Sequence, residues 1–349
     1  MNQITRCLLA FALATPSLAQ QAVFDDFARP DSTNLGPNWF EGNGDFVIQS
    51  QAARGNIPFA NDTWMSHTGF SRPYTQAKAD MRFARFPGDP LFAAGLVIGL
   101  DPNTWGGVAV LVQDNNLDGL FDRIFFNAAI NAGAWFSQGT PIFYDLPSPI
   151  SAGRLTVWAE DGGDLAVARV EDDAGNLQGV FTAAGIVGTP FAPTGTRAGI
   201  WVRGRSICDD FHALEHRSLD AFPSALSLSS GGSAVLDISL GSAQTGRPYL
   251  LLSSLQAATP GLSVGPGVFL PLAIDALTQW SLQNPNTAPY AATLGLLGPA
   301  GHARARLNLP PGSFPSLAGL SIAHAALAID PSNLTPSAAT NAATISLLP

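Results

Sequence analysis

The feature that most restricts the fold is a succession of short apolar runs, each about the length of a strand, separated by glycine, proline and Asx turns. In QAKADMRFAR (76–85), Ala77, Ala79, Met81 and Phe83 alternate with Lys78, Asp80 and Arg82. This period of two turns one face of a strand toward a core and the other toward water. FAAGLVIGL, GGVAVLVQ, RIFFNAA, GRLTVWAE, DLAVARVE, QGVFTAA and RAGIWVRG are likewise rich in Val, Ile, Phe and Trp, with turns such as DGGD (161–164) and DDAGN (172–176) between them. The 35 glycines and 27 prolines follow no fixed period, which argues against a collagen-like chain, and 46% hydrophobic residues exclude disorder. The pattern predicts an all-β protein, its first part an antiparallel sandwich.

The N-terminus, MNQITRCLLAFALATPSLAQQ, has a basic Arg6, an apolar run from Cys7 to Ala14, and small residues Ser17 and Ala19. It reads as a secretory signal peptide over residues 1–19, cleaved after about Ala19, so the mature protein is expected to be secreted, extracellular or associated with the cell envelope. No later apolar run approaches the ~20 residues that span a bilayer. Cleavage leaves Cys208 alone, so no intramolecular disulfide is expected.

Charge divides the remaining chain. Residues 22–216 hold 22 carboxylates against 12 basic side chains, net −10, whereas 217–349 hold four of each. The break coincides with RSLDAFPSALS, predicting a first domain over 22–216, a linker over 217–224 and a small β-sandwich over 225–349. An acidic first domain disfavours nucleic acid, whose binding rests on phosphate neutralisation by Lys and Arg.

Three stretches, FDDFARPDSTNLGPNWFEGNGDFVIQSQAARG, WGGVAVLVQDNNLDGLFDRIFF and RAGIWVRGRSICDDFHALE, resemble the concanavalin A-like lectin and glucanase superfamily in its laminin-G-like jelly-roll branches. The resemblance covers most of residues 22–216. It implies a curved two-sheet sandwich in which the strands around Phe24–Phe27 and Ile207–Phe211 run side by side. It also implies a domain type that commonly binds glycans and often holds calcium. GRPYLLLSS, LPLAID and SIAHAALAID in the second domain are similar to a small sandwich module at the C-termini of bacterial secreted proteins.

DNNLDGLFD sets Asp114, Asn116, Asp118, Gly119 and Asp122 in the spacing of calcium loops, with the carbonyl of Leu120 as a further ligand. Phe125 stands where an EF-hand carries its bidentate Glu, and the flanks are strand-like, so the loop is read as a structural calcium site on a hairpin or as a solvated Asx turn. The implied strand pairing would bring Asp25 and Asp26 near Asp209 and Asp210. Like charges that close call for a cation, as a second metal site, or for an arginine.

Cys208, His212 and His216 lie on a strand pattern, where a rise of ~3.3 Å per residue puts the first and last ~26 Å apart, too far for one zinc. GLSVG (261–265) matches a nucleophile elbow formally, but Pro266 bars the helix that must follow. The E-x-D-x-x-E strand motif of laminarinase-type members is absent from the sequence. Trp64 and Trp105 sit beside turns and are expected to be exposed for stacking on sugars, whereas Trp158 and Trp201 fit a core. The expectation is a secreted protein that binds an extracellular polysaccharide or cell-surface glycan without turnover. The alternatives are an extracellular carbohydrate-active enzyme with a non-standard acid/base set, or a structural surface or biofilm component.

Overall fold

The structure is a computed structural model describing residues 22–43, 45–56, 62–86, 93–101, 103–104, 106–130, 136–137, 142–186 and 193–349. The signal peptide expected over residues 1–19 lies outside the described residues, as does Trp105.

The first part of the chain forms β1 (Ala22–Asp25), β2 (Trp39–Asn43), β3 (Phe46–Gln49), β4 (Ala52–Gly55), β5 (Asp62–His67), β6 (Ala77–Ala84), β7 (Ala93–Leu100) and β8 (Gly107–Gln113). It continues through β9 (Phe121–Ile130), β10 (Phe136–Ser137), β11 (Ile142–Ile150), β12 (Ala152–Glu160), β13 (Leu165–Asp172), β14 (Leu177–Ala184), β15 (Arg197–Arg203) and β16 (Ile207–Glu215). Two antiparallel sheets result. Sheet I has the order β14-β13-β12-β6-β16-β4-β3, with β1 beside β16; sheet II has the order β10-β9-β8-β7-β15-β5-β2, with β11 beside β9. Their facing sides enclose one core that includes Phe46, Met81, Phe83, Ile98, Phe121 and Phe211. This is a jelly-roll β-sandwich.

β6 alternates as its sequence predicts: Ala77, Ala79, Met81 and Phe83 are in the core, with Lys78, Asp80 and Arg82 on the opposite face. The first and last strands of the domain pair, with Val23 opposite Ala213 and Phe24 opposite His212. β16 passes from β4, at Ile207 and Cys208, to β1 through an irregularity between Asp209 and His212, where Asp210 adopts φ 48°. Such a bulge lets one strand serve two short neighbours on the same edge.

The second part forms β17 (Leu219–Phe222), β18 (Ala225–Ser227), β19 (Gly232–Ser239), β20 (Pro248–Ser254), β21 (Ala257–Gly265), β22 (Val268–Leu272) and α1 (Ala276–Gln283). Then come β23 (Tyr290–Ala291), β24 (Leu294–Leu296), β25 (His302–Leu309), β26 (Ser321–Asp330), β27 (Thr335–Ala339) and β28 (Ala343–Leu348). Sheet β17-β19-β25-β23 and sheet β18-β28-β26-β20-β24, with β27 beside β26, enclose Leu236, Ile238, Leu251, Leu307 and Ile345. The β21-β22 hairpin covers the outer side of β20 and β26 through Leu270 and Leu272. Residues 217–224, expected as a linker, carry β17. Leu219 and Ala221 join the second core, and Asp220, between them, points back to the first sandwich.

The two sandwiches meet on the outer face of sheet I. Lys78 Nζ lies 3.3 Å from Asp220 and 2.9 Å from Asp237, and Arg304 joins Asp237 to Glu171, each at 2.7 Å. Glu160 accepts hydrogen bonds from Trp158 Nε1 at 2.7 Å and from the Ser239 hydroxyl. Trp158 is 1% exposed, its ring against His302 and Ala300 of the second sandwich. An isolated charge in such a place would be prohibitively desolvated, so the carboxylates and cations occur as an interlocked set.

Candidate functional site

The acidic turn between β8 and β9 is built by its own side chains. Asp114, 5% exposed, accepts from the backbone N–H of Leu117 at 2.6 Å through one oxygen and of Gly119 at 2.8 Å through the other. Asp118 accepts from Leu120 N–H and from the Asn116 amide, and Asp122 accepts from Asn115 N–H. Gly119, at φ 92°, also leaves room for Arg85, whose guanidinium lies where a Cβ would stand, 2.3 Å away. As arranged, the oxygens face backbone donors of the turn, and a calcium ion would have to displace those bonds. Among the described residues, no three His, Cys, Asp or Glu side chains are grouped to hold a metal.

The second carboxylate group follows the strand pairing, but its members serve different partners. Asp25 takes both guanidinium nitrogens of Arg29 at 2.6 and 3.0 Å, Trp39 Nε1 at 2.7 Å and Phe27 N–H at 2.8 Å. Burial would raise its pKa, but these donors outweigh it and hold the carboxyl below its ordinary value. Asp26 accepts from Ala28 N–H, Asp209 from Asp210 N–H, and Asp210 from Arg154 at 3.4 Å. Asp209 is shifted upward by burial and by Asp210 and Asp26.

Trp64 does not occupy the exposed position expected of it. Being in the middle of β5, it lies directly opposite Trp201 and packs with Val97 and Leu111 on the outer side of sheet II, 1% exposed. Its ring fills the space over Gly42, where a Cβ would come within 1.5 Å of the indole.

An open depression of about 610 Å³ lies instead along β2, the edge strand of sheet II, lined by Asn34, Gly36, Pro37, Trp39, Phe40 and Glu41. Arg29 braces its wall by donating to the Leu35 carbonyl at 2.7 Å while gripping Asp25. Asp25 in turn fixes the Trp39 indole, whose ring packs edge-on against His67 and Phe211. Asn34 closes the loop by accepting from Gly36 N–H at 2.6 Å through its carbonyl oxygen. Gly36 adopts φ 93°, a conformation that favours glycine.

On this frame Phe40 is 40% exposed, with the guanidinium carbon of Arg197 5.8 Å from its ring centre. Glu41 accepts from Phe46 N–H at 3.1 Å, and burial together with nearby Asp45 raises its pKa. The lining thus combines the half-exposed Phe40, beside Arg197, with the polar residues Asn34 and Glu41, so the depression offers both apolar surface and polar groups. Nothing in the local sequence marks Phe40, Glu41, Asn34 or Arg197. The available signal is Trp39 and Phe40 at adjacent positions, which in a strand must face opposite ways.

Among the described residues lining the depression, Glu41 is the one carboxyl. Elsewhere the Ser253 hydroxyl and His324 Nδ1 are 2.9 Å apart, yet the two residues are 1% and 0% exposed and cannot meet a polymer. Ser263, in GLSVG, lies on β21 and is followed by β22.

No protein-family model matches the chain, and no curated protein matches it. Solved structures similar to it include the CBM2 module of the Lactobacillus casei BL23 phage J-1 evolved Dit, 13% identical, TM-score 0.39, covering 56% of this chain and 96% of that one. Others are the carbohydrate-binding module CBM66 from Bacillus subtilis (16%, TM-score 0.37, 51% and 96% covered) and a legume lectin-like domain from Entamoeba histolytica (9%, 0.37, 51% and 90%). At these identities the likeness carries nothing about a ligand. The fold class rests on the two stacked sheets themselves.

Proposed function

We propose that this chain is an exported protein that binds an extracellular polysaccharide or cell-surface glycan and does not turn it over. The observation that carries the reading is the half-exposed Phe40 in an open depression beside Glu41, Asn34 and Arg197. The C–H faces of a sugar ring are apolar and suit an aromatic platform, while its hydroxyls require the mixed donors and acceptors found at the rim. An open depression suits a polymer more than an enclosed small molecule. Binding without turnover is the reading for a lining with one carboxyl, because glycoside hydrolysis ordinarily employs two flanking the bond.

The test is migration of the mature protein through native gels containing neutral polysaccharides. Retardation that Phe40→Ala abolishes without lowering the melting midpoint supports the reading. Equal retardation of both proteins, no retardation in any polymer, or release of reducing ends from a retained polymer would overturn it.

A further inference from the structure

The ion network between the two sandwiches closes one end of a seam that opens at the other. Along β6, side-chain exposure rises from 7% at Lys78 through 16% at Asp80 to 47% at Arg82. On the facing sheet, Asp220, Asp237 and Arg304 form one cross-strand row, set against Lys78 and Glu171. The next row on that face is Phe222, Val235 and Arg306, because side chains two residues apart in a strand share a face. Phe222 is 56% exposed, and Arg306 is exposed as well. The two β faces therefore part as they leave the network.

At this opening the Phe222 ring stands edge-on to His212 of β16, with centres 4.8 Å apart, and the ring of Phe24, on β1, lies 4.4 Å from the same imidazole. Phe24 is 54% exposed, so one histidine brings together exposed rings from both sandwiches. Polar groups adjoin them. Asp80, opposite His212, accepts from Thr156 at 2.7 Å and from Arg154, and Arg154 also reaches Asp210 at 3.4 Å. An ion-paired carboxylate keeps lone pairs for further donors such as hydroxyls. The opening also adjoins the edge-strand depression: Asp25, next to Phe24, accepts from the indole of Trp39, which precedes Phe40.

We propose that Phe222 and Phe24 form a second sugar-stacking subsite, so that one polymer is held both at Phe40 and at the seam between the sandwiches. This rests on the glycan-binding reading and gives the second sandwich a part in it. A saccharide chain is thin enough to enter the angle between two β faces, whereas the broad surface of a second copy is not. Its C–H faces suit the phenyl rings and its hydroxyls suit the charged groups beside them. Once one contact is made the other is intramolecular, so the two reinforce each other on a polymer.

The experiment runs wild type and variants through native gels containing hydroxyethyl-cellulose, dextran or galactomannan. In a polymer that retards wild type, Phe222→Ala should weaken retention at least about fivefold with an unchanged melting midpoint, and Phe222→Tyr, which keeps the ring, should preserve it. Phe24→Ala, in the other sandwich, should weaken it likewise and decides the matter should Phe222→Ala disturb the seam. Phe269→Ala removes a ring 48% exposed on β22 and should leave retention unchanged. Unchanged retention in a well-folded Phe222→Ala, or an equal fall in Phe269→Ala, would overturn the subsite. So would a wild-type dimer in sedimentation that Phe222→Ala dissociates, which would assign the rings to a second copy. Retention lost in Phe40→Ala but kept in Phe222→Ala removes the seam subsite alone; retention lost in Phe222→Ala but kept in Phe40→Ala removes the Phe40 reading alone.

Discussion

The ammonium of Lys78 in the first sandwich lies 2.9 Å from a carboxylate oxygen of Asp237 in the second, with the Lys78 side chain 7% exposed. Lys78 also reaches Asp220 on the strand that joins the two sandwiches, so one cation anchors two carboxylates of the second sandwich. Removing it with Lys78→Ala leaves those carboxylates buried and undercompensated: Asp237 keeps Arg304, which it shares with Glu171, and Asp220 keeps His216 at 3.7 Å. The loss should be about 3–5 kcal/mol. Scanning calorimetry checks this; a midpoint within experimental error of wild type would show that the network contributes nothing to docking.

Stability should fall as the pH is lowered below 6.5. Burial drives His302 and His324 down to about 3, so the unfolded chain takes up protons that the native one refuses. Their folded pKa values lie below the ordinary 6.5, so the stabilisation is complete above 6.5 and lost as pH falls. At about pH 5 each costs about 2 kcal/mol. His216 acts oppositely: burial would lower its pKa, but Asp220 and Glu160 raise it, so its contribution is complete below 6.5 and lost at higher pH. Melting midpoints from pH 8 to 5 test this, and a flat profile would contradict it. His324→Gln should reduce the slope.

In the acidic turn, Asp114→Ala strands the backbone donors of Leu117 and Gly119, and the expected cost is about 1–3 kcal/mol. Melting midpoints with and without a chelator test whether calcium occupies the turn. A fall that added calcium reverses would show that an ion replaces those bonds.

Gly42→Ala directs a methyl into the Trp64 indole. Overpacking of this kind costs about 1–3 kcal/mol or more. The variant should melt earlier and show altered tryptophan emission, whereas unchanged behaviour would mean that the edge strand shifts freely away from Trp64.

Much of the framework is legible in the residues. The alternation in QAKADMRFAR matches β6 face for face, and the Asx spacing of DNNLDGLFD marks a hairpin turn whichever way its oxygens are used. The polar side of β6 is where legibility ends. A lysine in that pattern implies solvent, yet Lys78 is enclosed by groups 142 and 159 positions away in the chain. Trp64 illustrates the same limit, because a tryptophan near a turn is exposed or buried according to what neighbouring strands place beside it.

What the sequence by itself determined is therefore local and periodic: strand faces, turns, the division of charge between two parts of the chain, and the all-β class. These follow from backbone geometry and apolar spacing, which act over a few residues. Only the tertiary structure decided that the outer face of sheet I is an interface, that Asp25 braces Trp39, and that Phe40 borders an open depression on an edge strand. Those are relations between distant segments, set by strand order and packing, and hydrophobic periodicity is the same whichever strand becomes the neighbour.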